Sequence, residues 1–188
     1  MTACRFYSLP MEFVIFDTAM GPFGLGWTAA GLKRVLLPGE PPEAMAASFE
    51  RAGFVPGTPD RTLERLINAI EDYADGIEVD FSATQLDLAG LPAFHRRAYA
   101  CLLRVGWGET VTYGELARQL GDVGLSRAVG QAMGANPIPL VIPCHRVLAS
   151  DGRPGGFSAP GGARSKVRML ALEGVSVGAP PGQMSFGF

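Results

Sequence analysis

Apolar and polar side chains alternate from Glu12 to Asp17 through Phe13-Val14-Ile15-Phe16, and two further β-rich stretches, Phe23 to Thr28 and Leu32 to Leu37, follow across Gly/Pro turns. Period-two runs broken by turn residues predict a small antiparallel sheet. The period then lengthens. Two helices are predicted, the stronger from Pro59 to about Ala74, where Leu63, Leu66, Ile67, Ile70 and Tyr73 recur at helical spacing and Pro59 suits the first turn. A short extended segment, Ile77 to Phe81, leads on through Leu86 to Gly90.

Beyond Gly90 the pattern is mainly helical. Pro92 opens a helix whose Phe94, Ala98, Cys101, Leu102 and Val105 share one face and which Gly106 can end. Two short helices follow, from about Tyr113 to Leu120 and from about Ser126 to Gly134, joined by a turn containing Gly121 and Gly124. These are helix-turn-helix proportions, which a plain helical hairpin shares. A last helix, roughly Gly162 to Leu172, carries Val167, Leu170 and Ala171 on its apolar side. The end of the chain, 178–188, lacks periodicity, although Met184, Phe186 and Phe188 could dock on the body.

Charge draws a boundary in the same place as the pattern. Residues 1–89 carry six Lys/Arg against thirteen Asp/Glu, residues 90–175 carry ten against five, and the tail is neutral, all inside a formal net charge of -2. We therefore expect three parts: 1–89 as an α/β scaffold, 90–175 as a more basic unit whose surface tolerates phosphates, and the tail 176–188. The longest uncharged apolar runs near the N-terminus, such as Phe13 to Phe16, are far shorter than the ~20 residues of a membrane span, so no membrane association is expected. Three cysteines (Cys4, Cys101, Cys144) with no paired spacing, and only two histidines, support neither a disulfide framework nor a zinc cluster. A reducing, cytoplasmic setting is expected, with no metal and no cofactor.

The chemistry concentrates in one stretch. The apolar run Ile138 to Ile142, which would serve as a buried β-segment, ends abruptly in Pro143-Cys144-His145-Arg146. A thiol is a useful nucleophile only as thiolate, and a neighbouring imidazole is a usual means of making one. Adjacent side chains in extended chain point apart, so a relay between Cys144 and His145 needs a water or a bend. The pair alone fits a structural cysteine as well as a nucleophile. His95, on the helix beside Arg96 and Arg97, reads as a solvated polar position, and Arg96, Arg97, Arg118, Arg146, Arg153 and Arg164 as positions that could touch phosphate.

Several segments resemble, in order, the O6-alkylguanine-DNA alkyltransferases, also called methylated-DNA-protein-cysteine methyltransferases. They are Gly108 to Ala117, Ser126 to Met133, Asn136-Pro137, Pro143 to Val147, and Lys166 with Leu172-Glu173-Gly174; a looser match runs through Thr18 to Gly24 and Gly31-Leu32. The resemblance implies an α+β fold: a ribonuclease H-like N-terminal sheet with helices, then a mainly helical domain with a helix-turn-helix and a short active-site strand. It also implies roles. Cys144 would accept the alkyl group, His145 would act through a water as general base oriented by Glu173, and Asn136 would brace the turn before the active-site segment. Tyr113 would donate to guanine N3, the Ser158 amide to O6, and the carbonyls of Cys144 and Val147 would hold the exocyclic amine. Tyr113, Met133, Pro139, Val147, Phe157 and Ser158 would form the pocket. Arg127 would fill the stack vacated by a flipped base, with Ser126, Ala128, Gln131 and Met133 beside it on DNA.

The implied partner is double-stranded DNA containing O6-alkylguanine, and O4-alkylthymine is a further candidate; a monomer is expected. Two departures bear on the pocket: Phe157 stands where many members have tyrosine, and Ala159-Pro160 lengthen and stiffen the loop after Ser158. The alternative reading is an alkyltransferase-like protein that flags the lesion without transfer. A cysteine hydrolase and a sequence-specific regulator are the other classes weighed.

Overall fold

The structure is a computed structural model that describes residues 10–177. Cys4 and the expected docking of Met184, Phe186 and Phe188 fall outside the described residues. Strands β1 (Met11–Phe16), β2 (Phe23–Thr28) and β3 (Gly31–Leu36) form the expected antiparallel meander. Helix α1 (Pro42–Arg51) then returns the chain so that β4 (Phe54–Pro56) pairs parallel with β1, giving the order β3-β2-β1-β4. The parallel edge strand is an addition to the expected antiparallel sheet. Three residues ending in proline carry little period, and an edge is where a strand proline is tolerated.

Glycine makes room for α1 on the sheet. A Cβ on Gly24 or Gly26 would come within 2.6 or 2.7 Å of the Phe49 ring, so their bare backbone is what lets Phe49 sink to full burial between Phe13 and Phe54. The other main helix of this half, α2 (Arg61–Ala74), begins two residues later than expected: Asp60 caps it, accepting from the Thr62 and Leu63 amides, and Pro59 lies outside. Ile77 to Phe81 forms no strand. Asp80 instead accepts from Ser82 in a tight turn, and the chain after it is tied to the sheet region by the bridge between Leu32 and Leu86 and by Asp87, which accepts from Thr28 and Lys33.

The second half runs α3 (Ala93–Leu102), β5 (Val111–Thr112), α4 (Tyr113–Gln119), a single 3-10 turn (Val123–Leu125), α5 (Ser126–Gly134), a 3-10 turn (Cys144–Arg146), β6 (Val147–Leu148) and α6 (Ala163–Leu172). Helix α3 ends at Leu102, before Gly106. Thr112 and Glu115 make a capping box that starts α4 at Tyr113. β5 and β6 pair in parallel, Val111 opposite Val147. Ile138 to Ile142 is buried as expected but is not a strand. Leu140 takes a positive φ of 76°, and the Ile142 amide folds back onto the Ile138 carbonyl.

In α6 the buried positions are Lys166, Met169 and Leu170, whereas Val167 and Ala171 face outward. The expected apolar face is thus rotated, because the aliphatic stem of Lys166 fills a core position while its ammonium reaches the Val147 carbonyl. One core cluster runs through both halves, from Phe23, Ile70 and Tyr73 to Leu102 and Ile142. Among the described residues no helix is long and apolar enough to cross a membrane.

Candidate active site

Cys144 stands first in the turn Cys144–Arg146 and is 4% exposed. Asn136 braces the loop that delivers it: Nδ2 donates to the Ile142 carbonyl at 2.8 Å, and Oδ1 accepts from the Ile138 amide at 3.0 Å. Both ends of the loop holding Leu140 are thereby tied together, which is how a leucine is kept at a φ that costs a non-glycine residue energy.

The turn drives the next two side chains into the core, onto one carboxylate. His145 Nε2 lies 2.6 Å from Glu173 Oε1; Arg146 donates from Nε to Oε2 at 2.8 Å and from Nη2 to Oε1 at 3.1 Å. The Tyr73 hydroxyl, brought by α2 from the other half, donates to Oε1 at 3.0 Å. Arg146 is also fixed on the Val105 carbonyl. Burial alone would raise the Glu173 carboxyl, but the donors of His145 and Arg146 hold it at about 2, so it is ionised. A carboxylate at Nε2 places the imidazole proton there. Nδ1 then keeps its lone pair; it is buried and has no hydrogen-bond partner.

Burial pushes the His145 imidazole down, against the pull of Glu173. It pushes the Cys144 thiol up, with Asn136 and Lys166 working the other way. The resting pair at neutral pH is therefore thiol and neutral imidazole, and the nucleophile has to be made at the moment of use, with Glu173 steadying the imidazolium that forms. Lys166, fully buried, sits 5.9 Å from the Tyr113 ring centroid, and burial brings its ammonium down to about 8 while Cys144 pulls it up. A cation on this side favours thiolate.

A cavity of about 490 Å³ opens over Cys144. Of the residues expected in the pocket, Pro139, Phe157 and Ser158 line it, and Asn136 joins them. Arg34, Met45 and Ser48 close it from the N-terminal half, which the sequence did not lead us to expect. Tyr113, Met133 and Val147 are not among its walls. Tyr113 is half-buried, with burial and then the proximity of Cys144 pushing its phenol up. Val147 is fully buried, and Met133, expected beside Arg127 on DNA, is only 5% exposed and packs in the core. On the outer face of α5, Arg127 and Gln131 are exposed and Ser126 and Ala128 half-buried, with the Ser126 hydroxyl donating to the Val123 carbonyl.

Among the described residues no group of three or more His, Cys, Asp or Glu could hold a metal ion. Two functional neighbours were not legible in advance. Arg146 is not solvated, at 6% exposure, and Tyr73 was placed on a buried face without its partner. For Arg146 the available signal was its position directly after Cys-His at the end of an apolar run.

The description "6-O-methylguanine DNA methyltransferase, DNA binding domain" matches residues 93–175. The methylated-DNA-protein-cysteine methyltransferase of Mycolicibacterium paratuberculosis is 47% identical over 157 residues, 84% of this chain and 75% of the relative. The chain belongs to the methylated-DNA-protein-cysteine methyltransferase family. The family's mouse member is 34% identical over 180 residues, covering 90% of this chain and 84% of its own. Mycobacterium tuberculosis OGT, solved in complex with DNA, superposes with a TM-score of 0.69 at 32% identity over 87% of this chain and 93% of that one. The family segment 93–175 holds Cys144, His145, Arg146 and Glu173; Tyr73 and Arg34 join them from outside it.

Proposed function

We propose that the chain repairs alkylated DNA by direct reversal: it takes the alkyl group from O6 of a guanine turned out of the duplex onto Cys144, once per molecule. The observation that carries this reading is the stacking of three things at one point: an open cavity, the Cys144 thiol at its floor, and behind it an imidazole anchored by Glu173 with Nδ1 free.

The thiol proton passes through one water to His145 Nδ1. Sγ attacks the alkyl carbon, the S–C bond forms, and the C–O6 bond breaks with its electron pair going to guanine, which takes up a proton. The Tyr113 hydroxyl at N3 and the Ser158 amide at O6 stabilise the charge that builds on the leaving base, while the carbonyls of Cys144 and Val147 hold its exocyclic amine. A thioether offers water no electrophilic carbonyl, so the product is stable and the protein is consumed. Unstacking the nucleotide costs a few kcal/mol. Arg127, exposed on α5, offsets this by filling the gap from the minor groove, flanked by Ser126, Ala128 and Gln131.

In this reading residues 90–175 bind DNA and carry the acceptor, residues 1–89 support them, and the protein works as a monomer in the cytoplasm, with O4-alkylthymine as a second substrate. Mass spectrometry of the Cys144 peptide after exposure to O6-methylguanine DNA tests it, with Cys144→Ala as control. One added methylene on Cys144 supports transfer. Tight binding with Cys144 unmodified would leave lesion flagging in its place, and label on Cys101 would overturn the assignment of the acceptor.

A further inference from the structure

The cavity over Cys144 is far larger than a methyl group requires and is built from both halves of the chain. At about 490 Å³ it falls within the range of roughly 300–1,000 Å³ that takes whole small ligands. Pro139, Phe157 and Ser158, assigned to the base, are among its walls, and Arg34, Met45 and Ser48 continue the same cavity past them towards β3 and α1. The wall facing Cys144 comes from β3 and α1, and it is fixed in place twice. The Val35 amide donates to the Pro137 carbonyl at 2.9 Å, and Gly39, at φ 145°, lies so close to Pro160 that a side chain there would have no room.

This wall ends in a guanidinium with donors unspent. Arg34 lies over the Phe49 ring at 5.5 Å and spends one N–H on the Ser48 carbonyl at 3.4 Å and one on the Ser48 hydroxyl at 3.1 Å, leaving three of its five. Among the described residues no carboxylate pairs with it. Burial, and then Arg51, disfavour its charged form, so a hydrogen-bond acceptor placed there is welcome. Val35, Leu37 and Met45 give the same cavity apolar wall. Glu40, on the same cavity, disfavours a full negative charge.

We propose that Arg34, held by Ser48, is a specificity residue for this cavity, selecting O6 substituents with an apolar stem that ends in a neutral oxygen. The N-terminal half is then a specificity element for the transfer. The proposal rests on the transfer reading above: Sγ bonds to the first carbon of the stem, the C–O6 bond breaks, guanine leaves with the electron pair and a proton, and the tail stays in the cavity as thioether.

The test compares three oligonucleotides bearing O6-methyl-, O6-pentyl- or O6-(4-hydroxybutyl)guanine; the last two have the same number of heavy atoms and differ by one oxygen. The readout is the single-turnover rate ratio of hydroxybutyl to pentyl, within each protein. A hydrogen bond to a charged donor predicts a ratio of roughly tenfold in the unaltered chain. Arg34→Met, which keeps the stem over Phe49, is expected to bring it near one, and Ser48→Ala to lower it part of the way, with thermal denaturation checking that each variant is folded. Equal ratios in the unaltered chain and Arg34→Met overturn the role of Arg34. Transfer of methyl but of neither long group overturns the cavity. Failure with all three, methyl included, removes the transfer reading and the proposal together.

Discussion

Cys144 separates two regions of opposite character. Below it, His145, Arg146, Glu173 and Tyr73 are buried and joined by hydrogen bonds, every oxygen of the carboxylate engaged. Above it, Arg34 and Ser48 line a cavity with donors to spare. The lower region is committed to one arrangement and its failure is a failure of the fold. The upper region is open, and changes there alter which substrate fits. The contrast explains how one protein can hold a fixed chemistry and still be tunable in what it accepts.

The largest break in this comparison is expected from Glu173→Gln. Removing one member of a buried charged cluster leaves Arg146 uncompensated and costs about 3–5 kcal/mol, read as a lowered denaturation midpoint, and the transfer rate should fall with it because His145 loses its anchor. The same cluster sets the pH response. The folded Glu173 carboxyl lies at about 2 against an ordinary 4.5, and His145 lies below its ordinary 6.5. In both cases the unfolded chain binds protons more readily, so the contribution of these two groups to stability is complete above about 6.5, declines as His145 protonates in the unfolded chain, and falls further below 4.5 towards 2. Stability constant from pH 7 to 3 would contradict this.

Next in size is Tyr73→Phe, which deletes one hydrogen bond to the carboxylate and is expected to cost about 1.5–3 kcal/mol with a smaller loss of transfer rate than Glu173→Gln. Gly39→Ala should follow at about 1–3 kcal/mol, from a side chain at positive φ against Pro160, and should slow long substituents more than methyl. The smallest stability effect belongs to Arg34→Met, about 0.5–1 kcal/mol for the loss of its bonds to Ser48 at a half-exposed position, checked by chemical denaturation. A large loss there would erase the distinction between the two regions.

The parts that were legible in the sequence are those with a local signature. The strand meander, α5 from Ser126 to Gly134 and the opening of α4 at Tyr113 follow from period and capping chemistry that act over a few residues. The parts that were not legible depend on distant partners. An arginine in Pro-Cys-His-Arg looks solvated until Glu173 and Val105 are seen around it, and Lys166 reads as polar surface until its stem is found in the core. Ile138 to Ile142 was correctly apolar, but a leucine with positive φ cannot be anticipated from hydrophobicity, because the Asn136 brace that enforces it acts across six residues. The N-terminal wall of the cavity was illegible for the same reason: nothing in β3 alone indicates that it meets the loop after Ser158.

The central claim, that Cys144 is consumed by a single transfer, is tested most directly by counting. With O6-methylguanine DNA in tenfold excess, the account predicts that guanine is restored until one methyl group per chain has moved and then stops, and that Cys144→Ala restores none. Restoration continuing past one equivalent, or surviving in Cys144→Ala, would contradict it.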